Sequence, residues 1–246
     1  MFGFSPWALL PPVYSGLTAA GLWVVYFVAV YDEKIVPLGT KYRRNGSSYP
    51  PYISIAGNFP PASSIFSEVM NLAAFLGFII AFLRYLQLKH KINKHLNVVT
   101  LLAFTFGCFG MTLLGNFRIF TDEIIHNLGT FMTFGLGTLF CWLQSFITLR
   151  VDLKNEGRKT GIMRFLLSGI ITVCMILYFS LISQRLHGEA AQSQWALVMF
   201  FLIFLSTFGI DFRHNRFDLV CTDNCGRPEN HSEMLPDVSR YRPEEL

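Results

Sequence analysis

Glu68 and Asn71 are spaced i, i+3 near the start of an apolar run, so a helix would place them on one face. Asn116 and Arg118 close a second run, Asp122, Glu123, His126 and Asn127 open a third, and Asp211 and Arg213 close the last. Polar groups at or inside such stretches are expensive in hydrocarbon, and each asks for a reason. Three carboxylates gathered at one mouth, Glu68, Asp122 and Glu123, could concentrate cations as charged rings do in channels. The competing reading leaves them interfacial and solvated, or paired with Arg118.

The remaining reactive groups make less. Cys108, Cys141 and Cys174 lie within apolar runs, where cysteine packs as a small hydrophobe. Cys221 and Cys225, with His231, supply three zinc ligands where a closed structural site wants four, so no metal is implied. These two thiols are either free or sites of reversible palmitoylation, since cysteines near a bilayer are acylated. There is no phosphate-cradling glycine loop, no His-Glu-x-x-His and no nucleophile elbow. The sequence is therefore read as non-enzymatic and without a cofactor.

The elements that position these groups follow from composition. Of 246 residues, 52% are hydrophobic, 25 are phenylalanine and only 15% are charged, where roughly 25% is usual for a soluble domain. So few charges cannot cover a water-soluble surface, and the high hydrophobicity excludes disorder. Six runs approach the roughly 20 residues that cross a bilayer as a helix: 7–30, 64–85, 96–114, 127–149, 165–182 and 194–210. They are too long and too uniformly apolar for the alternating strands of a barrel. The first is about 24 residues with no basic segment before it, longer than a signal-peptide core, and is read as a retained helix. The expected fold is all-α, a polytopic six-helix bundle over residues 1–215, followed by a disordered tail over 216–246. In the fourth run Gly129, Thr133, Gly137 and Cys141 recur every four residues, a small-residue stripe that lets another backbone approach closely. Its uses, in order, are packing within the bundle, contact with a second copy, and a pore lining.

Lysine and arginine orient the bundle. Fourteen of the 20 basic residues lie at or beyond the end of the second run, with Arg84 counted there, after the fourth, Arg164 among them, or in the tail, which places both termini in the cytoplasm. Asn45-Gly46-Ser47 is then a glycosylation sequon on the far side, whereas Asn230-His231-Ser232 would stay unmodified. The net charge of +4 asks for no nucleic-acid partner, because the basic residues flank the membrane and gain from anionic lipid there. Lys89, Lys91 and Lys94 serve either orientation alone or a specific phosphoinositide contact.

The run Pro51-Tyr52-Ile53-Ser54-Ile55-Ala56-Gly57, then Pro60-Pro61 and Phe66…Asn71-Leu72-Ala73-Ala74, is a pattern with precedent. With Gly115-Asn116-Phe117 and His126-Asn127 it resembles the damage-regulated autophagy modulators and the transmembrane-protein-150 group, over roughly residues 7–215. Finer matches, Met111 to Phe117, Asn155-Glu156-Gly157-Arg158, and Trp195 to Met199 leading to Phe212-Arg213-His214, are similar to the C-type branch. That resemblance implies a plasma-membrane protein that is a component or modulator of a mechanically activated, slowly inactivating cation channel, calcium among its ions. The partners implied are a second copy or another mechanosensitive channel. Relatives imply the alternative: a non-conducting adaptor in autophagy at the lysosome or endosome, or in phosphoinositide-kinase recruitment. Where other members carry loop cysteines this chain has Ala56 and Ser64, which puts any disulfide-dependent gating of that loop in doubt.

Overall fold

The computed structural model describes residues 5–40, 48–151, 157–213, 215 and 217. Six helical spans are long and apolar enough to cross a membrane. The first joins a 3-10 turn, Pro6–Leu9, to α1, Leu10–Tyr31. A single-turn α2, Ile53–Ala56, lies in the loop that follows. Next come α3, Ala62–Leu88, and α4, Lys94–Asn116. The fourth span is composite: α5, Glu123–Phe131, a π-helical segment, Met132–Leu136, and α6, Gly137–Arg150. The fifth span is α7, Gly157–Ser183; the sixth is α8, His187–Ser206, extended by α9, Phe208–Phe212. Among the described residues β pairing is limited to an isolated bridge between Ile35 and Tyr49. The chain is a polytopic all-α membrane protein.

Several helices start earlier than the apolar runs. α7 begins at Gly157 and α8 at His187, whereas the runs begin at 165 and 194. Hydropathy marks only the part of a helix that lies in hydrocarbon, while the backbone hydrogen-bond ladder continues through the headgroup region. The even number of spans puts both ends of the bundle on one side. Arg84 and Arg164 are buried within it and do not act as loop charges. Twelve of the remaining eighteen basic residues still mark the cytoplasmic side.

Helix association in lipid draws on close packing rather than on the hydrophobic effect. α3 packs on α1 and α4, α7 on α6 and α8, and α8 on α1. Stacked rings fill the centre: Phe104 on Phe140 at 4.3 Å and Trp23 on Trp195 at 4.5 Å. A close backbone approach joins α4 to the fourth span. A β-carbon on Gly110 would stand 2.8 Å from the carbonyl oxygen of Gly129, so both positions require glycine. Outward-facing side chains such as Phe75, Phe106, Leu166 and Ile176 are exposed apolar groups that contact the bilayer.

The described parts of the loop after the first span, 32–40 and 48–61, are fastened to the bundle. The Ile53 amide donates to Gln194 Oε1 at 2.9 Å, and Trp195 Nε1 donates to the Pro51 carbonyl at 3.0 Å. Tyr26 Oη accepts from the Leu38 amide at 2.8 Å. Ile53, Ile55 and Ala56 are buried, so α2 closes the far end of the bundle. Ala56 is sealed in this packing, and Ser64 is exposed.

Candidate functional site: a buried arginine–aspartate cluster

At the cytoplasmic end three charged side chains meet in the interior. Arg84 comes from the last turns of α3, Arg164 from the second turn of α7, and Asp211 from α9. Their side chains are 1%, 0% and 5% exposed, so water contributes little to any of them. Arg84 Nη1 donates to Asp211 Oδ1 at 3.1 Å and to Gln87 Oε1 at 2.6 Å, and its Nε donates to Gln144 Oε1 at 3.1 Å. Arg164 pairs through Nη2 with the other carboxylate oxygen of Asp211. Its Nε donates to Thr207 Oγ1 at 2.8 Å and its Nη1 to Thr148 Oγ1 at 2.7 Å. Thr148 also accepts from Arg84 Nη2 at 3.4 Å, so one hydroxyl bridges both guanidiniums. The Phe208 ring lies 4.3 Å from Arg164 Cζ and 5.5 Å from Arg84 Cζ.

Burying a charge is tolerable only when it is paired and hydrogen-bonded. Here every polar element of the cluster is placed for that purpose. Gln87 Nε2 donates to the Asp211 carbonyl at 2.7 Å, which pins the end of α9 to α3. Among the described residues, two guanidiniums against one carboxylate leave a net positive charge inside the bundle, shared with the face of Phe208. A fixed positive charge in low dielectric repels cations, as arginines do in pores that exclude them. The cluster also locks four spans together, because α3, α6, α7 and the sixth span each contribute a partner.

The residues singled out in the sequence fall elsewhere. Asn71 and Asn116 meet at the opposite end. Asn116 Nδ2 donates to Asn71 Oδ1 at 3.0 Å, and Asn116 Oδ1 accepts from Ser67 at 2.8 Å and from Asn71 Nδ2 at 3.2 Å. This amide pair fastens α3 to α4 beside Gly115. Glu68, Asp122 and Glu123 are exposed, and among the described residues none forms an ion pair with Arg118. His126 turns inward, 2% exposed, with Nδ1 donating to the Phe117 carbonyl at 2.8 Å. The small-residue stripe keeps the fourth span close to α4 and meets α8 as well. Gly129 meets Gly110 of α4, and Gly137 lies by Gly107 of α4 and faces Phe201 of α8. Thr133 sits between them with its hydroxyl buried, and Cys141 is fully buried. Lys89, Lys91 and Lys94 are exposed at the α3–α4 turn. Asn45, Cys221 and Cys225 lie outside the described residues.

Sequence reading counted Arg84 and Arg164 among the loop charges. The signal that could have found them is the polar set at matching depth: Gln87, Gln144, Thr148, Thr207 and Asp211, each near the cytoplasmic end of its span.

Residues 6–215, which include the whole bundle and the cluster, match the Frag1/DRAM/Sfk1/Cwh43P N-terminal domain. The chain belongs to this Frag1/DRAM/Sfk1 family. Within it, the chain is similar to the zebrafish (Danio rerio) protein named modulator of macroautophagy TMEM150B, at 32% identity over 86% of this chain and 88% of that one. The human protein of the same name is 30% identical over 82% of this chain and 84% of its own length. Mouse (Mus musculus) transmembrane protein 150A is 28% identical over 84% and 83%. No solved structure matches the chain.

Proposed function

We propose that this protein is a non-enzymatic membrane regulator that does not pass ions through its own bundle. The observation that carries the reading is the Arg84–Asp211–Arg164 cluster, which sets a net positive charge and three bulky side chains across the cytoplasmic end. The family supports the same reading, since the B-type relatives are named modulators of macroautophagy. A regulator of this kind acts through its cytoplasmic face. The exposed Lys89, Lys91 and Lys94 suit contact with anionic lipid or with a recruited partner such as a phosphoinositide kinase. Its site of action is then an endosomal, lysosomal or plasma membrane, with palmitoylation of Cys221 or Cys225 and glycosylation of Asn45 as accompanying modifications.

The C-type motif matches favour a second reading, a role in mechanically activated, slowly inactivating cation currents. Identity to the A-type and B-type relatives is nearly equal, as suits a chain from a separate branch of the group. The two readings agree if this chain modulates another channel rather than forming the pore. Purified protein in tension-clamped liposomes tests the common core. Silence up to the lytic tension is the expected result, together with altered autophagic flux in cells lacking the protein. Tension-gated cation currents from the purified protein alone would overturn it.

A further inference from the structure

Above the arginine cluster the bundle encloses a cavity of about 110 Å³. It runs from beneath α2, at Ser54, past His126 to Thr138 and Leu202 in the middle of the membrane. His126 to Thr138 spans roughly 18 Å of helix at 1.5 Å per residue, about half of the hydrocarbon thickness. Its walls are mainly apolar, with Leu22, Phe66, Met70 and Val198 among them. For scale, an apolar cavity of roughly 150 Å³ holds benzene. A space somewhat smaller than that takes only the last few carbons of one hydrocarbon chain.

The cavity has a way in. The Gly110–Gly129 contact draws α5 onto α4, and α5 packs extensively on neither α7 nor α8. Below the π segment α6 does pack on α7, so the fourth and fifth spans touch in one half and part in the other. An edge-on contact between Phe134 and Tyr178, with ring centroids 6.4 Å apart, bridges the gap, and both rings line the cavity. α7 is the most peripheral span, 17% buried against 39–44% for the others. Both sides of the gap carry exposed apolar residues, Leu128 and Phe131 on α5 and Val173 and Ile176 on α7. The opening is thus continuous with the lipid-facing surface, and acyl chains are what stand before it.

We propose that the cleft between α5 and α7 admits the end of one acyl chain of an outer-leaflet glycerophospholipid into this cavity, with Phe134 and Tyr178 as its threshold. The chain leaves the bilayer sideways, while the headgroup stays at the interface near Asn127, which is exposed and also lines the cavity. Opening or closing the cleft would then couple the packing of the fourth and fifth spans to the lipid around them.

Photolabelling tests this. The full-length protein is placed in phosphatidylcholine nanodiscs doped with a phosphatidylcholine that carries a diazirine near one chain end, irradiated, digested and mapped by mass spectrometry. Adducts are expected on the inward residues Leu22, Met70 and Val198 as well as on outward Phe131 and Ile176. Adducts confined to outward residues would overturn the proposal without any variant. Val198→Trp takes up part of the cavity. If its bulk excludes about two methylenes, inward labelling falls roughly tenfold while outward labelling is unchanged. A photoactive free palmitate is the second arm. Inward labelling by palmitate alone would overturn the assignment to a phospholipid.

Discussion

Arg84 and Arg164 enter the same buried site from α3 and α7 and share the single carboxylate of Asp211. Like charges held this close within a membrane protein require both the anion and a full set of neutral acceptors. Gln87, Gln144, Thr148 and Thr207 provide those acceptors. The cluster therefore has a definite electrostatic order of importance, with the aspartate first.

Asp211→Asn removes the only carboxylate in the cluster and leaves two guanidiniums facing each other in low dielectric. Breaking a buried ion pair from one side costs about 3–5 kcal/mol. The melting temperature of the purified protein in detergent should fall steeply. An unchanged value would show that the charges are solvated in a way this packing does not provide.

Arg84→Met should be the milder change. It strands two glutamine oxygens, at roughly 1–3 kcal/mol each when nothing relaxes. It also removes the excess positive charge and leaves Arg164 and Asp211 as a neutral pair. The same melting assay ranks the two variants, and a larger loss for Arg84→Met would contradict the charge argument.

At the other end, Asn71 and Asn116 should show pairwise coupling. Hydrogen bonds between membrane helices average about 0.6 kcal/mol and reach about 1.7 kcal/mol. The geometry is reciprocal, at 3.0 and 3.2 Å, but Asn116 is exposed and water competes for its amide, so a value near that average is expected. A double-mutant cycle with Asn71→Leu and Asn116→Leu measures it, and strictly additive losses would mean that the amides are satisfied separately.

Two glycine substitutions should have opposite signs. Gly110→Ala puts a methyl group within 2.7–2.9 Å of Met132, Gly129 and Thr133, two of these contacts being backbone atoms that cannot step aside. Overpacking of this kind costs about 1–3 kcal/mol. Gly169→Ala on α7 meets nothing within 4 Å and gains helix propensity of up to about 1 kcal/mol. Equal effects on the melting temperature would refute the close approach of α4 to the fourth span.

Gln194→Leu leaves the Ile53 amide without its acceptor and loosens α2 over the end of the bundle. Hydrogen exchange should rise across residues 53–57, while the interiors of α3 and α4 stay protected. Unaltered exchange in that loop would assign its stability to the other ties, the Trp195–Pro51 and Tyr52–His187 hydrogen bonds among them.

The all-α fold and the number of spans were legible in the chain itself. Crossing hydrocarbon demands long apolar helices, and the loop charges supply the direction expected of them. Glu68, Asp122 and Glu123 were also visible, but their shared chemistry depended on converging, and in the structure they remain exposed without a common partner. Arg84 and Arg164 show the converse. By position along the chain both look like ordinary juxtamembrane charges, 80 residues apart, and nothing local marks them as neighbours. Helix packing decides that they meet, because α3 and α7 turn these faces toward the end of the sixth span. The cavity arises in the same way. Glycine at 110 and 129 is plain in the sequence, yet only the packed bundle shows that their contact draws α5 away from α7. Composition and periodicity act through each segment's own exchange with lipid and water, so one chain suffices to read them. Which polar groups share a site, and where the helices part, follow from packing between segments far apart in the chain, which only the tertiary structure decides.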